Sequence, residues 1–164
     1  MARWSITQNN WTPIAVADTT AFTNVGYFAL QGGTTTQRIS IWELYMGGLA
    51  ATGAPAQMIL ARDSTTGATS LSGGTIAALD PASANLTSMP VQFSTSTTKP
   101  QRSSTLYLLT PAFNAFGGIV RWNASPGEEI GLVSTAATAG EISLSSASTG
   151  TPGLMSSHII FEIF

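Results

Sequence analysis

No stretch of this chain keeps a helical hydrophobic period over a useful length. Short β-prone runs recur instead, cut by clusters of Gly, Pro, Ser, Thr and Asn. That rhythm restricts the fold to a sandwich or barrel of antiparallel strands. The strongest run is Ser157 to Phe164. It sets Ile159, Phe161 and Ile163 on one side and His158, Ile160, Glu162 and Phe164 on the other, since successive strand residues face opposite ways. Such a terminus is expected to be tied into a sheet.

Arg38 to Met46 alternates in the same way. Ile39, Ile41, Glu43 and Tyr45 fall on one side, and Ser40, Trp42, Leu44 and Met46 on the other. Large apolar groups on both faces predict a strand covered on both sides. Further strands are expected at Trp4–Gln8, Ala21–Leu30, Ala56–Arg62, Val91–Thr95, Thr105–Leu109, Gly118–Trp122, Glu129–Val133 and Gly140–Ser145. Asn123–Gly127 holds a Pro-Gly pair suited to a type II turn, with Glu129–Val133 as its returning strand. The mostly small and polar stretch 64–88 reads as a long excursion. It carries a short helical turn at Asp80–Ala84, where Pro81 fits the first helical position. Eight to ten antiparallel strands with long loops in 164 residues is the size of an all-β jelly-roll sandwich, larger than an immunoglobulin-like one. The expected organisation is an N-terminal arm or first strand over residues 1–20 and a single jelly-roll domain over 21–164.

Composition then narrows function. Only 9% of the residues are charged, against about 25% in typical soluble domains, while Ser and Thr supply roughly a quarter. There is one histidine, His158, no cysteine, and eight carboxylates spread along the chain, so catalysis lacks most of its usual groups and no cofactor is implied. The net charge is −2 and the basic residues are scattered, which weighs against nucleic acid as a partner. No apolar run approaches the length of a membrane helix, and no basic amphipathic helix or signal-peptide layout is visible.

The candidate chemical groups have plain structural readings. His158 shares a strand face with Glu162, but four residues apart in a strand is about 13 Å, too far for direct pairing. Glu128 and Glu129 are adjacent and therefore point to opposite faces, unlike a glycosidase pair. Glycoside hydrolysis by Glu43, Asp63, Asp80 or Glu141 is a third-rank reading. Asp63–Gly67 has one carboxylate where calcium loops use several, and reads as a turn. Trp42, Tyr45 and Trp122 suit either an aromatic sugar platform or, more simply, sandwich core. The Gly pairs are turn and bulge residues, and the three Asn-x-Ser/Thr sequons are expected by chance in so Ser/Thr-rich a chain.

The run Gly117-Gly118-Ile119-Val120-Arg121-Trp122, followed by Ser125-Pro126-Gly127-Glu128-Glu129-Ile130, resembles a strand-turn-strand of small virion proteins from tailed phages. Ala78-Leu79-Asp80-Pro81-Ala82-Ser83-Ala84 resembles another segment of the same proteins. These are jelly-roll capsid decoration (cement) proteins. The resemblance implies a structural, non-enzymatic virion protein, made in the host cytoplasm and bound to the outside of an icosahedral head. Its partners would be the major capsid protein and itself, as a homotrimer. No catalytic, metal or cofactor residues carry over from that family. The contact residues expected here are Arg3, Trp4 and Trp11 on an N-terminal arm, with His158 at a subunit contact. Deleting residues 1–12 is then expected to abolish head binding and leave trimers intact. The alternative is a carbohydrate-binding or receptor-binding β-sandwich module of a phage fibre.

Overall fold

The computed structural model describes residues 2–13, 28–32, 38–65, 75–84, 86, 91–94, 101–133, 140–146 and 153–164. Among them are twelve strands and no helix. In chain order these are β1 (Arg3–Trp11), β2 (Phe28–Gly32), β3 (Arg38–Gly48), β4 (Pro55–Thr65), β5 (Thr75–Ala78) and β6 (Val91–Ser94). They continue with β7 (Gln101–Leu109), β8 (Ala112–Asn114), β9 (Ile119–Asn123), β10 (Ile130–Val133), β11 (Glu141–Ser146) and β12 (Met155–Ile163).

The strands form two six-stranded antiparallel sheets. The first runs β10-β3-β12-β1-β5, with β9 also on β3. The second runs β6-β2-β11-β4-β7, with β8 also on β4. In each sheet one long strand carries two short ones end to end on a single edge. β3 pairs with β10 through Arg38–Ile41 and with β9 through Glu43–Gly47. β4 likewise pairs with β8 through Pro55–Gln57 and with β7 from Leu60 onward. Each pair is one interrupted strand. At the second interruption stands Pro111, which has no N–H for the ladder, although its carbonyl still accepts from the Met58 amide at 2.8 Å.

The turn within the first interruption has the expected type II geometry. The Glu128 amide donates to the Ser125 carbonyl at 2.9 Å, and Gly127 has φ +91°, a value that favours glycine. It does not reverse the chain, however. β9 and β10 both run antiparallel to β3, so they run in the same direction and residues 124–129 loop out of one strand. The expected hairpin is replaced by a loop-out.

Trp42 lies opposite that loop. Along β12, Ile160 pairs with Glu43 and Phe161 with Ile41, which makes Trp42 an extra, bulged residue. The bulge reverses the alternation expected for β3. Ile39, Ile41, Leu44 and Met46 all enter the core, while Ser40, Glu43 and Tyr45 take the outer face. A strict period of two cannot foresee this, because one inserted residue flips every side chain beyond it.

The core is one cluster drawn from both sheets. It contains Ile6 and Trp11 of β1, Phe28 and Leu30 of β2, Met58 and Leu60 of β4, Ile142 and Leu144 of β11, and Ile159 and Phe161 of β12. Each such side chain contributes about 1.5–3 kcal/mol on burial. β11 is buried at all six positions, so the second sheet is covered on both faces at this strand.

At one end of the sandwich β3 passes so close to the β8–β9 turn that a Cβ on Gly48 would sit 2.1 Å from the Ala115 carbonyl oxygen. That contact is with backbone and cannot be relieved by a rotamer change. Gly48→Val is therefore expected to destabilise by about 3 kcal/mol, read from urea unfolding; an unchanged midpoint would contradict the close approach.

Other expectations differ from the structure in defined ways. The excursion after residue 64 contains β5, paired with β1 from Thr75 to Ala78. Asp80–Ala84 is a turn and not a helix: Asp80 Oδ1 accepts from the Ala82 amide, and the Asp80 carbonyl from that of Ser83. Asp63 belongs to β4 and not to a turn. Residues 21–27 of the expected second strand lie outside the described residues.

Candidate functional site

The outer face of the first sheet gathers a large part of the chain's few charges. Because Ile6 faces the core, Arg3 of β1 points out. For the same reason His158 and Glu162 of β12 point away from Ile159 and Phe161. Glu162 is the centre of one cluster. Its Oε1 accepts from Arg3 Nε at 2.9 Å and its Oε2 from Trp42 Nε1 at 3.0 Å. The Arg3 guanidinium lies over the Trp42 ring, 4.2 Å from its centroid.

Glu43 is the centre of the second cluster. Arg121 Nη2 donates to its Oε2 at 2.8 Å, and His158 Nε2 lies 3.0 Å from its Oε1. Tyr45 stacks on His158 with centroids 4.9 Å apart and rings within 8° of parallel. The hydrogen bond from Arg121 holds the Glu43 carboxyl below its ordinary value; partial burial opposes this and His158 assists. A lowered carboxylate stabilises the fold above its unfolded value of 4.5, and this is lost as pH falls through the folded value.

Next to the first cluster the surface dips. A depression of about 420 Å³ is lined by Arg38, Ser40, Trp42, Glu129 and Phe164. Glu129 is fixed at its rim by the Gly127 amide, which donates to Oε1 at 2.9 Å. That bond is the main reason its carboxyl lies below the usual range, and Arg38 and Arg3 add to it.

The second sheet holds three of its charged residues inside. One step beyond the Ile142–Arg62 pair, Glu141 of β11 comes opposite Asp63 of β4, which in turn pairs with Arg102 of β7. All three are at most 1% exposed. Ser143 Oγ donates to Asp63 Oδ1 at 2.5 Å. Burial, reinforced by the adjacent Glu141, pushes the Asp63 carboxyl up to about 9 against the opposing pull of Ser143 and Arg102. Asp63 is thus protonated at neutral pH. Arg102 is the cation that the described residues place beside these two carboxyl groups.

The expected contact residues divide between surface and interior. Arg3 and His158 lie on the outer face, each tied to a glutamate. Trp4 is half-buried and stacks on Phe161 at 6.2 Å. Trp11 is a core residue, 3% exposed. It stacks on Phe28 at 6.1 Å and donates from Nε1 to Ser157 Oγ at 3.1 Å, so it offers no surface to a partner. The segment Arg3–Trp11 is not a free arm; it is a strand hydrogen-bonded between β12 and β5. His158 pairs with Glu43 on the neighbouring strand. Registers set that meeting, and spacing along one strand gives no sign of it.

Trp42 and Tyr45, read from the sequence as core, lie half-exposed on the outer face, while Trp122 packs against the core. Among the carboxylates considered for hydrolysis, Glu43 is engaged by Arg121 and His158 and Asp80 caps a turn. Asp63 and Glu141 are sealed from any substrate. Among the described residues no group of three or more His, Asp or Glu is placed to hold a metal ion, and no helix is long and apolar enough to cross a membrane. Comparison with protein-family models, with curated proteins and with solved structures finds no match to this chain.

Proposed function

We propose that the chain is a structural virion protein, a jelly-roll sandwich that binds the outside of an icosahedral phage head and stabilises it as a homotrimer. The strand pairing carries this reading. If each interrupted strand counts once and the short β5 and β6 are set aside, eight strands remain. They pair first with eighth (β1–β12), second with seventh (β2–β11), third with sixth (β3 with β9 and β10) and fourth with fifth (β4 with β7 and β8). That is one long antiparallel ribbon rolled into two sheets, the plan expected of a jelly roll. The ion pairs support a non-catalytic role, since they neutralise one another along strands instead of converging on a cleft.

Self-association is supported by an uncharged end of the sandwich. Leu49, Phe116, Ile119 and Leu154 are exposed there, Phe116 by 59%. Asn114 Oδ1 accepts from the Ala54 and Phe116 amides at 2.9 Å each and fixes two of the loops. The described residues of this end, 47–57, 112–120 and 153–157, carry no charge, so copies meeting there face no like-charge penalty. Phe116→Asp is expected to weaken self-association at least tenfold and leave the melting temperature within a few degrees; equal association by sedimentation would remove this end as the contact. Head binding is tested by antibody against the purified chain. It should decorate the outside of heads in phage carrying the gene. Label confined to tails or fibres, or absent from particles, contradicts the assignment.

A further inference from the structure

We propose that the depression beside Trp42 is a saccharide site, with Trp42 as its stacking platform and Arg38 and Glu129 as hydrogen-bonding partners for the hydroxyls of a neutral sugar ring. The first observation is the bulge. Trp42 is the one inserted residue of β3 on its β12 side, and on the opposite edge the partner strand breaks at the same residue, where the Ala124 amide reaches the Trp42 carbonyl at 2.8 Å. Two register breaks at one residue leave Trp42 outside both ladders and put it beside Glu43 on the outer face.

The second observation is how firmly that ring is held. Its Nε1 is bonded to Glu162, its face carries Arg3, and Arg3 is itself held by Glu162. Arg3 does not line the depression, so Trp42 reaches it with the surface that Arg3 leaves open. A partly exposed aromatic ring fixed by surrounding side chains loses little freedom when a ligand stacks on it. The space, about 420 Å³, falls in the range of small-ligand pockets, about 300–1,000 Å³.

The polar groups indicate the ligand class. One guanidinium with five donors faces one carboxylate with several acceptor sites, and Ser40 adds a hydroxyl. Gly131 leaves room for Arg38, since a Cβ there would meet its Nη2 at 3.2 Å. The balanced charge disfavours a phosphate or sulfate, whose charge the single arginine would meet only in competition with Glu129. A sugar ring matches the set: its C–H face suits the electron-rich indole, and its hydroxyls both donate and accept.

The test uses the purified full chain, tryptophan fluorescence and NMR titration. The probes are methyl β-glucoside, methyl β-galactoside and N-acetylglucosamine, with inorganic phosphate as a separate arm. At least one sugar should give saturable binding, weakened about tenfold or more in Trp42→Ala and in Glu129→Ala. Glu128→Ala, at an exposed neighbour outside the depression, should bind as the parent does. Glu129→Ala keeps the test valid if Trp42→Ala fails to fold. Three results would each overturn the site: no saturation by any of the sugars at tens of millimolar, binding of phosphate alone, or equal weakening by Glu128→Ala. No phage head enters the experiment, so its failure would leave the head-binding reading untouched.

Discussion

A chain lacking residues 1–12 is expected to show no cooperative thermal transition. β1 is an interior strand with hydrogen-bonded neighbours on both sides, β12 and β5. Its removal takes Ile6 and Trp11 from the core and Trp4 from the face of Phe161. Three such side chains are worth about 1.5–3 kcal/mol each, before counting two lost ladders and the newly exposed edge of β12. Whole domains are stable by only about 5–15 kcal/mol, so the deletion removes much or all of the margin. A truncated chain that melts cooperatively within a few degrees of the intact one would contradict the placement of β1. Loss of head binding on this deletion would consequently report unfolding and not a contact arm. Arg3, which points outward, is the residue of β1 to vary in mapping a contact.

The second large effect concerns the buried row of Glu141, Asp63 and Arg102. Arg102→Ala removes the cation that the described residues place beside these two buried carboxyl groups, and is expected to destabilise by about 3–5 kcal/mol. Asp63→Asn keeps an uncharged group where Asp63 holds its proton, and should cost far less at neutral pH. The two substitutions also differ in pH dependence. Asp63 is raised in the folded state from 3.8 to about 9, so folding takes up a proton between these values. The stabilisation is complete below the unfolded value and is lost as pH rises through the folded one. The intact chain should therefore lose about 1.4 kcal/mol per pH unit from this group on going from neutral toward pH 9. Asp63→Asn should flatten that slope. Urea unfolding between pH 6 and 9 measures both; equal slopes in parent and variant would show that Asp63 is not the titrating group.

Strands of strong alternation, β3 and β12 above all, were legible because β-branched and aromatic residues recur at every second place. The type II turn was legible from Pro126-Gly127. β5 and β8 were not, since four and three residues with a single large side chain each leave no periodic signal. The interrupted strands escaped for a different reason. A Pro-Gly turn looks the same whether the chain reverses after it or continues, and only the pairing of β9 and β10 with β3 decides. The site escaped in the same way. His158 and Glu43 meet through register, 115 positions apart. Large apolar groups on both faces of β3 gave no sign that Trp42 lies outside; the core positions of Ile39, Ile41, Leu44 and Met46 show it. Asp63 read as a turn residue and Glu141 as one of the carboxylates spread along the chain; the β4–β11 pairing makes them buried neighbours.

The claim that this sandwich works by assembly is tested most directly by its mass in solution. Sedimentation equilibrium of the purified chain should give a compact particle of three times the 17.0 kDa chain mass, dissociated by Phe116→Asp. A particle of 17.0 kDa at every concentration examined would contradict it.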